Sequence, residues 1–221
     1  MLKIWGECRL GRIKIAMAKG RLGKHSIQLL EEIGLDCSEL RADSRKLIFS
    51  LAGANIDVIS LKAVDVPTYV EHGVVDMGIT GKDILMEQER QLYELVDLGF
   101  GKCKFSVAGK PSMEGGRKHL RVATKYPNVA RKFFAKKGQS VEIIRQEGSV
   151  ELAPLMGLSD IIVDIVETGR TLRENGLIVL EDIGNISARL VVNRVSYKTK
   201  KRQIDDLINL IEENRRGKQG V

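Results

Sequence analysis

The segment with the strongest chemical signal is an apolar strand that leads into a turn rich in hydroxyl groups. The run 161–166 contains one acid, Asp164, and the turn after it contains Thr168, Gly169 and Thr171. Two hydroxyls, several backbone N–H groups and the start of a short helix fit a phosphate monoester. The acid precedes the first threonine by four residues, where it can accept hydrogen bonds from vicinal sugar hydroxyls. This order favours a ribose 5-phosphate ligand over the alternative, an ordinary strand-to-helix turn beside a solvated acid.

Two cationic loops are candidates for binding a diphosphate. The segment Lys19-Gly20-Arg21 follows the first predicted strand, and Asp43-Ser44-Arg45-Lys46 immediately precedes another. Ligands of open α/β sheets bind outside the carboxyl ends of the strands, where the first loop is expected. The two arginines, Arg21 and Arg45, offer paired N–H donors that a lysine does not supply. Taken singly, each loop is better interpreted as a cationic surface.

Two weaker candidates are Cys103 and Ser149. Cys103 lies in the segment 99–105, which fits a chain crossing between two lobes, and its thiol either faces a pocket or fills core. Ser149 begins a predicted short helix that runs to Met156, where a serine is more often an N-cap than an anion site. Neither residue carries a function by itself.

These candidates depend on strands that alternate with helices along the chain, which predicts an α/β protein with largely parallel sheets. Asp65 is predicted to cap a helix that has Pro67 in its first turn and ends at Gly73. The predicted strands are 12–18, 46–50, 56–60, 74–79, 104–108, 120–123, 141–144, 160–166, 177–180 and 186–195. The remaining predicted helices start near 26, 82, 127, 149 and 170, and a last one buries Ile204, Leu207, Ile208 and Ile211.

The composition is that of an ordinary folded protein. The 221 residues are 43% apolar and 29% charged, and 36 basic against 29 acidic side chains give a net charge of +7. This excess favours polyanionic partners, while 5% aromatic residues give little support to nucleic-acid binding. The sequence shows neither a long apolar window nor a signal peptide, so we expect a cytoplasmic protein without membrane contacts. Three separate cysteines without a nearby histidine predict neither a disulfide framework nor a protein metal site.

Eight segments, taken in order, resemble the ATP phosphoribosyltransferase family, whose members catalyse the first step of histidine biosynthesis. They span the chain from residue 13 to about 193. The sequence departs from the family at 62–65, before the Asp-Val-Pro motif, and residues 1–11 precede the usual start of the family's sequences. The segments are 16–22, 44–48, 65–73, 76–83, 101–105, 121–127, 148–154 and 163–172.

The resemblance implies a two-lobed α/β fold similar to type II periplasmic binding proteins, with an active-site cleft between the lobes. Lobe I is expected to comprise residues 1–100 and 184–221, and lobe II residues 101–183. The length matches the short form of the family, which lacks a C-terminal histidine-sensing domain. That form works with a regulatory subunit similar to histidyl-tRNA synthetase, and a homodimer is expected for the chain alone.

The implied reaction transfers the 5-phosphoribosyl group of 5-phosphoribosyl 1-diphosphate to N1 of ATP and releases diphosphate, with Mg²⁺ carried mainly by the substrate diphosphate. The implied catalytic residues are Arg21 and Arg45, which meet the departing diphosphate, while Asp164 orients the ribose hydroxyls. The alternative is a non-catalytic nucleotide or metabolite binding module of the same two-lobed fold. The full set of implied substrate-binding residues is Lys19, Cys103, Ser149, Asp164, Glu167, Thr168, Gly169, Arg170 and Thr171.

Overall fold

The computed structural model describes residues 11–42, 45–113 and 120–219. Residues 1–10, with the expected N-terminal extension, and Asp43 and Ser44 of the second cationic loop lie outside this part. Contacts divide the chain into two compact units. Unit 1 comprises the chain up to Ile84, Arg90–Phe100 and the chain from Ala188, and unit 2 comprises Leu85–Glu89 and Gly101–Ser187.

Strands and helices alternate through the described residues. The strands are β1 Ile13–Ala18, β2 Ile48–Ser50, β3 Ile56–Leu61, β4 Met77–Gly81, β5 Tyr93–Asp97, β6 Cys103–Gly109, β7 Leu120–Thr124, β8 Val141–Arg145, β9 Ile161–Val166, β10 Ile178–Ile186 and β11 Ala188–Val192. The helices are α1 Arg21–Glu32, α2 Ser38–Arg41, α3 Val66–Glu71, α4 Lys82–Gln88, α5 Pro127–Lys136, α6 Leu152–Leu155, α7 Arg170–Glu174, α8 Arg194–Thr199 and α9 Lys201–Gln219. In the described part of the chain, none of these helices has the length and apolar character needed to cross a membrane.

Unit 1 is built on a six-stranded sheet with the strand order β2-β3-β1-β4-β11-β5. The central strand β1 pairs in parallel with β3 and β4. Helix α1 packs on this sheet through Leu29 and Leu30, and α9 buries Ile204, Leu207 and Ile211 in the same core. The predicted apolar face of the last helix is therefore confirmed.

Unit 2 is built on a five-stranded sheet with the order β10-β6-β9-β7-β8. Strands β9, β7 and β8 are parallel, while β6 and β10 run antiparallel to their neighbours. Each face of the sheet has its own apolar cluster. Phe105 and Val163 pack with Phe134 of α5 on one face, and Ala108 and Ile162 form part of the cluster on the other.

The expectation of largely parallel sheets is wrong, because both sheets are mixed. In unit 1, β2, β11 and β5 all pair antiparallel to their neighbours. Strand β5, Tyr93–Asp97, was not predicted. Its sequence Tyr-Glu-Leu-Val-Asp does not alternate cleanly between apolar and polar residues. Strands β10 and β11 are separated by Ser187; β10 is an antiparallel edge strand of the sheet in unit 2, and β11 pairs antiparallel with both β4 and β5 in unit 1.

Two local predictions also need correction. Asp65 stands at the N-cap position of α3, as predicted, but its side chain makes no capping hydrogen bond; it is the last residue of a 3₁₀ turn, with φ −90° and ψ −21°. The strand predicted over 186–195 stops at Val192, because the side chain of Asn193 accepts hydrogen bonds from the N–H groups of Val195 and Ser196 at 2.9 Å each and begins α8.

The unit bounds differ from the expected lobe bounds at two places, 85–89 and 184–187, which the contacts group with unit 2. Glu87 accepts hydrogen bonds from the backbone N–H groups of Asn128 and Val129 at the start of α5. Residues 184–186 are the end of β10 and pair with β6. Long-range pairing, which the local sequence does not display, sets both bounds.

Candidate active site

The predicted residues of unit 2 gather at one edge of its sheet. Strands β7, β8 and β9 are parallel, so their carboxyl ends lie at the same edge, and the antiparallel strand β6 starts there. This edge carries Cys103 at the start of β6, Ser149 in the loop after β8, and the turn 167–169 after β9. Residues that are distant in the sequence are thus brought to one edge of the sheet.

Asp164 lies near the end of β9 and is half-buried. The backbone N–H of Ile165 donates a hydrogen bond to Asp164 Oδ1 at 2.8 Å. Its register partner on the next strand is Ser106 of β6. Because paired residues on neighbouring strands project from the same face, Asp164 and Ser106 lie side by side.

That face of the sheet is the one that α7 covers. Ile162, two residues before Asp164, packs with Val150 from the loop after β8 and with Leu172 of α7. Val150 is 2% exposed, so this contact anchors the loop that carries Ser149. The acid, the Ser149 loop and α7 therefore share one face of unit 2.

The chain turns sharply at Gly169 between β9 and α7. Gly169 has φ +68°, the left-handed region that glycine adopts without strain. A Cβ atom at this position would also lie 3.3 Å from Arg173 Nη1. Thr168 Oγ1 accepts a hydrogen bond of 3.4 Å from the N–H of Arg170. The predicted glycine turn is present, with a hydroxyl oriented toward the first turn of the helix.

The side chains of this turn are open to solvent. Glu167, Thr168, Arg170 and Thr171 are all exposed. Arg170 Nε donates to Glu174 Oε1 at 2.7 Å along α7. The two hydroxyls are thus accessible to a ligand, while the Arg170 guanidinium is paired along the helix.

Ser149 has an unexpected backbone conformation. Its φ of +48° is in the left-handed region, which is uncommon for a residue with a side chain. Its carbonyl accepts a hydrogen bond from Leu152 N–H at 3.0 Å, and Glu151 stands at the N-cap position of α6. The prediction that Ser149 caps this helix is wrong. Strained residues of this kind occur at ligand sites, which keeps Ser149 a candidate binding residue.

Cys103 is half-buried at the first position of β6. Its thiol lies 3.5 Å from the carbonyl oxygen of Gly101. Cys103 therefore stands at the candidate edge, and it also packs against the apolar cluster of unit 2.

A charged pair that the sequence patterns did not reveal lies on the same face of the sheet as Asp164. Lys104 Nζ contacts Asp182 Oδ2 at 2.6 Å, and Ser106 Oγ donates to Asp182 Oδ1 at 2.9 Å. The hydrogen bonds from Lys104 and then Ser106 hold the pKa of the Asp182 carboxyl below its ordinary value. These residues come from β6 and β10, far apart in the sequence, so local patterns could not have shown that they meet.

The candidate cations of unit 1 also lie at one edge of their sheet. The N–H of Lys19 donates to the Leu61 carbonyl at 2.9 Å, which places the loop after β1 at the carboxyl end of β3. The N–H of Ser60 donates to the Leu47 carbonyl at 2.8 Å, which places residues 45–47, directly before β2, on the other side of β3. The loops that carry Arg21 and Arg45 are thus brought together at this edge.

Helix α1 begins at Arg21, five residues earlier than the apolar spacing predicts. The close approach of the helix to β1 requires Gly23, because a Cβ atom there would lie 2.2 Å from the carbonyl oxygen of Ala18. Gly20, with φ +82°, makes the preceding turn. The first turn of the helix therefore carries Arg21 at the end of β1, where it is exposed.

A pocket of about 270 Å³ opens at the same edge of unit 1. Lys19, Lys24 and Lys46 line it together with Ser60 and the apolar side chain of Phe49. Lys46 also contacts Glu39 at 2.7 Å. Lys24 was not predicted, and it follows from the helix start at Arg21, because it then projects from the first turn.

The described residues contain no group of three or more His, Cys, Asp or Glu side chains that could hold a metal ion. Mg²⁺ often binds through one or two carboxylates, with substrate phosphates and water completing its shell.

Comparison with known proteins supports the resemblance. A family model described as ATP phosphoribosyltransferase matches residues 62–213. An ATP phosphoribosyltransferase of Alkaliphilus metalliredigens is 66% identical over 202 residues, which cover 91% of this chain and 97% of the relative. A chain of the ATP phosphoribosyl transferase (HisG:HisZ) complex from Thermotoga maritima is 37% identical with a TM-score of 0.79, covering 91% of this chain and 98% of that one.

A more distant likeness concerns the fold alone. The periplasmic aliphatic sulphonate binding protein SsuA from Escherichia coli has a TM-score of 0.57 at 15% identity, covering 93% of this chain and 72% of that protein. The expected α/β fold similar to periplasmic binding proteins is thus confirmed. Since both the family model and a close relative cover most of its length, the chain belongs to the ATP phosphoribosyltransferase family.

Proposed function

We propose that the candidate edge of unit 2 binds the 5-phosphoribosyl group and that the candidate edge of unit 1 receives the diphosphate in the reaction of this family. That reaction transfers the 5-phosphoribosyl group from 5-phosphoribosyl 1-diphosphate to N1 of ATP, as the first step of histidine biosynthesis. The single observation that carries the assignment is the placement of Asp164 on the same face as α7, directly before the turn with Thr168 and Thr171.

In unit 2, each part of a ribose 5-phosphate has a matching group. The carboxylate of Asp164 accepts hydrogen bonds from the ribose hydroxyls, and Thr168, Gly169 and Thr171 bind the 5-phosphate through hydroxyl and backbone N–H groups. Glu167, Arg170, Ser149 and Cys103 complete the substrate-binding surface at this edge. The exposure of Thr168 and Thr171 and the glycine turn at Gly169 support this assignment.

In unit 1, Arg21 and Arg45 are the proposed catalytic residues, with Lys19 as a further binding residue. Cleavage of the anomeric bond builds positive charge on the ribose ring and negative charge on the departing diphosphate. Cations that meet the growing negative charge bind the transition state more tightly than the ground state. The loops on both sides of β3 and the lysine-lined pocket between α1 and β2 support this role.

We also assign Mg²⁺ to this reaction as an ion that enters with the diphosphate. Bound there, it neutralises part of the charge of the leaving group. The protein contributes the arginines and lysines of unit 1, which orient the diphosphate and exchange its water for fixed donors.

For the assembly, we propose a cytoplasmic homodimer that combines with a regulatory subunit similar to histidyl-tRNA synthetase, as in the short form of the family. The HisG:HisZ complex of Thermotoga maritima supports a second, different subunit. Light scattering of the purified chain, alone and mixed with that subunit, tests both parts: a monomer alone, or no mass increase on mixing, contradicts the corresponding part.

The central test is adduct formation by the wild type and by the variant Thr168→Ala/Thr171→Ala. A spectrophotometric assay with ATP, 5-phosphoribosyl 1-diphosphate and Mg²⁺ follows the product while diphosphate is removed. Loss of two hydrogen bonds to a charged group should lower kcat/KM for 5-phosphoribosyl 1-diphosphate by about 10²-fold or more. The KM for ATP should change far less.

Thr199→Ala is the matched control, because Thr199 is an exposed threonine on α8 whose hydroxyl bonds to the Val195 carbonyl. It should retain wild-type kinetics. No adduct from the wild type, even with the regulatory subunit present, would instead support a non-catalytic binding module. Adduct formation that survives in the double variant would remove the turn after β9 from the site.

A further inference from the structure

We propose that Lys104 binds the 5-phosphate of the phosphoribosyl substrate and that Asp182 holds its side chain in place when no substrate is bound. The inference rests on the proposed function, because it takes the turn after β9 as the phosphate site. It adds a cation from another strand to a 5-phosphate site whose threonines and glycine belong to one continuous segment.

Lys104 lies beside that turn. It pairs in register with Val166, the last residue of β9, while Ser106 pairs with Asp164. Residues two apart on a strand share a face, so Lys104 projects from the same face as Asp164. Neighbouring strands are only about 4.8 Å apart, which lets a lysine side chain reach over either neighbour.

The contact with Asp182 is suited to exchange. Lys104 and Asp182 have side chains that are 55% and 45% exposed, and exposed ion pairs contribute little to stability. A phosphate offers more charge and more acceptor oxygens than one carboxylate. Asp182 keeps the hydrogen bond from Ser106 when Lys104 turns away, so its carboxylate does not lose every partner.

Lys104 adds a second cation on the Asp164 side of the turn, where the Arg173 guanidinium already lies beside Gly169. Asp164 and Glu167 place two carboxylates close to a ligand that itself carries nearly two negative charges at neutral pH. The guanidinium of Arg170 is paired with Glu174 along α7. Lys104, on the Asp164 side, offsets the repulsion between carboxylate and phosphate.

The test compares Lys104→Ala with Asp182→Asn, using ribose 5-phosphate and inorganic diphosphate as competitive inhibitors. Lys104→Ala should weaken inhibition by ribose 5-phosphate about 10- to 30-fold and raise the KM for 5-phosphoribosyl 1-diphosphate similarly, with little change in kcat. Inhibition by diphosphate should stay within about 3-fold of the wild type. Lys104→Arg should restore most of the loss.

Asp182→Asn should change the affinity for ribose 5-phosphate in the opposite direction. The amide can still accept the hydrogen bond from Ser106, but it no longer competes for the ammonium group. Ribose 5-phosphate should therefore bind about 2- to 5-fold more tightly. A merely structural ion pair predicts that both variants weaken binding together, and that outcome would overturn the inference.

Lys137→Ala is the matched control, because Lys137 forms an exposed ion pair with Glu181, the residue next to Asp182 on β10. It should bind both inhibitors as the wild type does. If Lys104→Ala behaves like this control while Thr168→Ala/Thr171→Ala loses activity, the inference fails and the proposed function stands. If the threonine variant is also unaffected, the proposed function itself fails. Weakened inhibition by diphosphate alone would assign Lys104 to the other end of the substrate and overturn its 5-phosphate role.

Discussion

In unit 2 the candidate ribose- and 5-phosphate-binding groups are positioned by the backbone of a strand and two loops. In unit 1 the candidate diphosphate-binding groups are the ends of long cationic side chains. Asp164 stands on a strand whose preceding residues are buried, and Gly169 and Ser149 both use left-handed conformations to place their loops. At the edge of unit 1, Arg21 and Arg45 are exposed side chains near a pocket lined by lysines. Backbone groups suit a ligand part that keeps its charge through the reaction, whereas long cationic side chains can follow charge that grows on a leaving group.

The largest expected effect comes from removing one of the two arginines of unit 1. If they stabilise the departing diphosphate, Arg21→Ala or Arg45→Ala should cost about 2.7 to 4 kcal/mol in the transition state. Turnover should then fall by roughly 10²-fold or more. Steady-state kcat is the measurement, with Arg41→Ala, which removes an exposed cation paired with Glu31, as the control.

Unchanged kcat in both arginine variants would remove these residues from the mechanism and reverse the comparison, since unit 1 would then be a cationic surface. If KM for 5-phosphoribosyl 1-diphosphate rises while kcat is unchanged, the arginines are binding groups without a catalytic role. Arg21→Lys should recover only part of the activity, because lysine lacks the paired donors of the guanidinium.

The next effect concerns the two glycines that shape the edges. Gly23→Ala places Cβ 2.2 Å from the Ala18 carbonyl, a clash between backbone-linked atoms that requires α1 to move. Gly169→Ala places Cβ 3.3 Å from Arg173 Nη1 and 3.8 Å from Val166 Cγ1, and it holds an alanine at φ +68°. We expect about 1–3 kcal/mol or more of destabilisation at Gly23 and about 1–2 kcal/mol at Gly169.

Thermal unfolding measures both changes, at roughly 2–4 °C per kcal/mol for a chain of this size. Gly169→Asn should be milder than Gly169→Ala, because asparagine tolerates the left-handed region better. Equal Tm values for Gly23→Ala and the wild type would show that α1 does not approach β1 this closely.

Candidate residues could be predicted from the sequence where they belong to one continuous segment, but not where strand pairing brings them together. The candidate site of unit 2 could be predicted because Asp164, Thr168 and Thr171 belong to one continuous strand and turn, so their spacing is visible in the sequence. Lys104 and Asp182 are 78 residues apart and meet only through strand pairing. A local pattern holds no information about that pairing.

The same limit applies to the fold. Most strands and helices were predicted, because apolar periodicity and turn residues are local signals. Strand direction is not local, so the mixed sheets were missed. Asp65 stands at the predicted N-cap position without a capping side-chain hydrogen bond, and Ser149 is not the N-cap of α6; in both cases the residue type was favourable while the chain path imposed other dihedral angles.

The smallest expected effect separates the two cysteines of the described residues by their surroundings. Burial in the core of unit 1, with smaller contributions from Glu31 and Asp36, raises the pKa of the Cys37 thiol to about 11. Only about 0.1% of the Cys37 side chain is then thiolate at pH 8, while Cys103 at the edge of unit 2 is half-exposed.

In a Cys8→Ser background, iodoacetamide should therefore label Cys103 before Cys37, as measured by mass spectrometry of the peptides. Ribose 5-phosphate should slow that labelling if its site lies at the start of β6, whereas equal rates with and without it would place the ligand away from Cys103 and narrow the binding edge to the turn after β9.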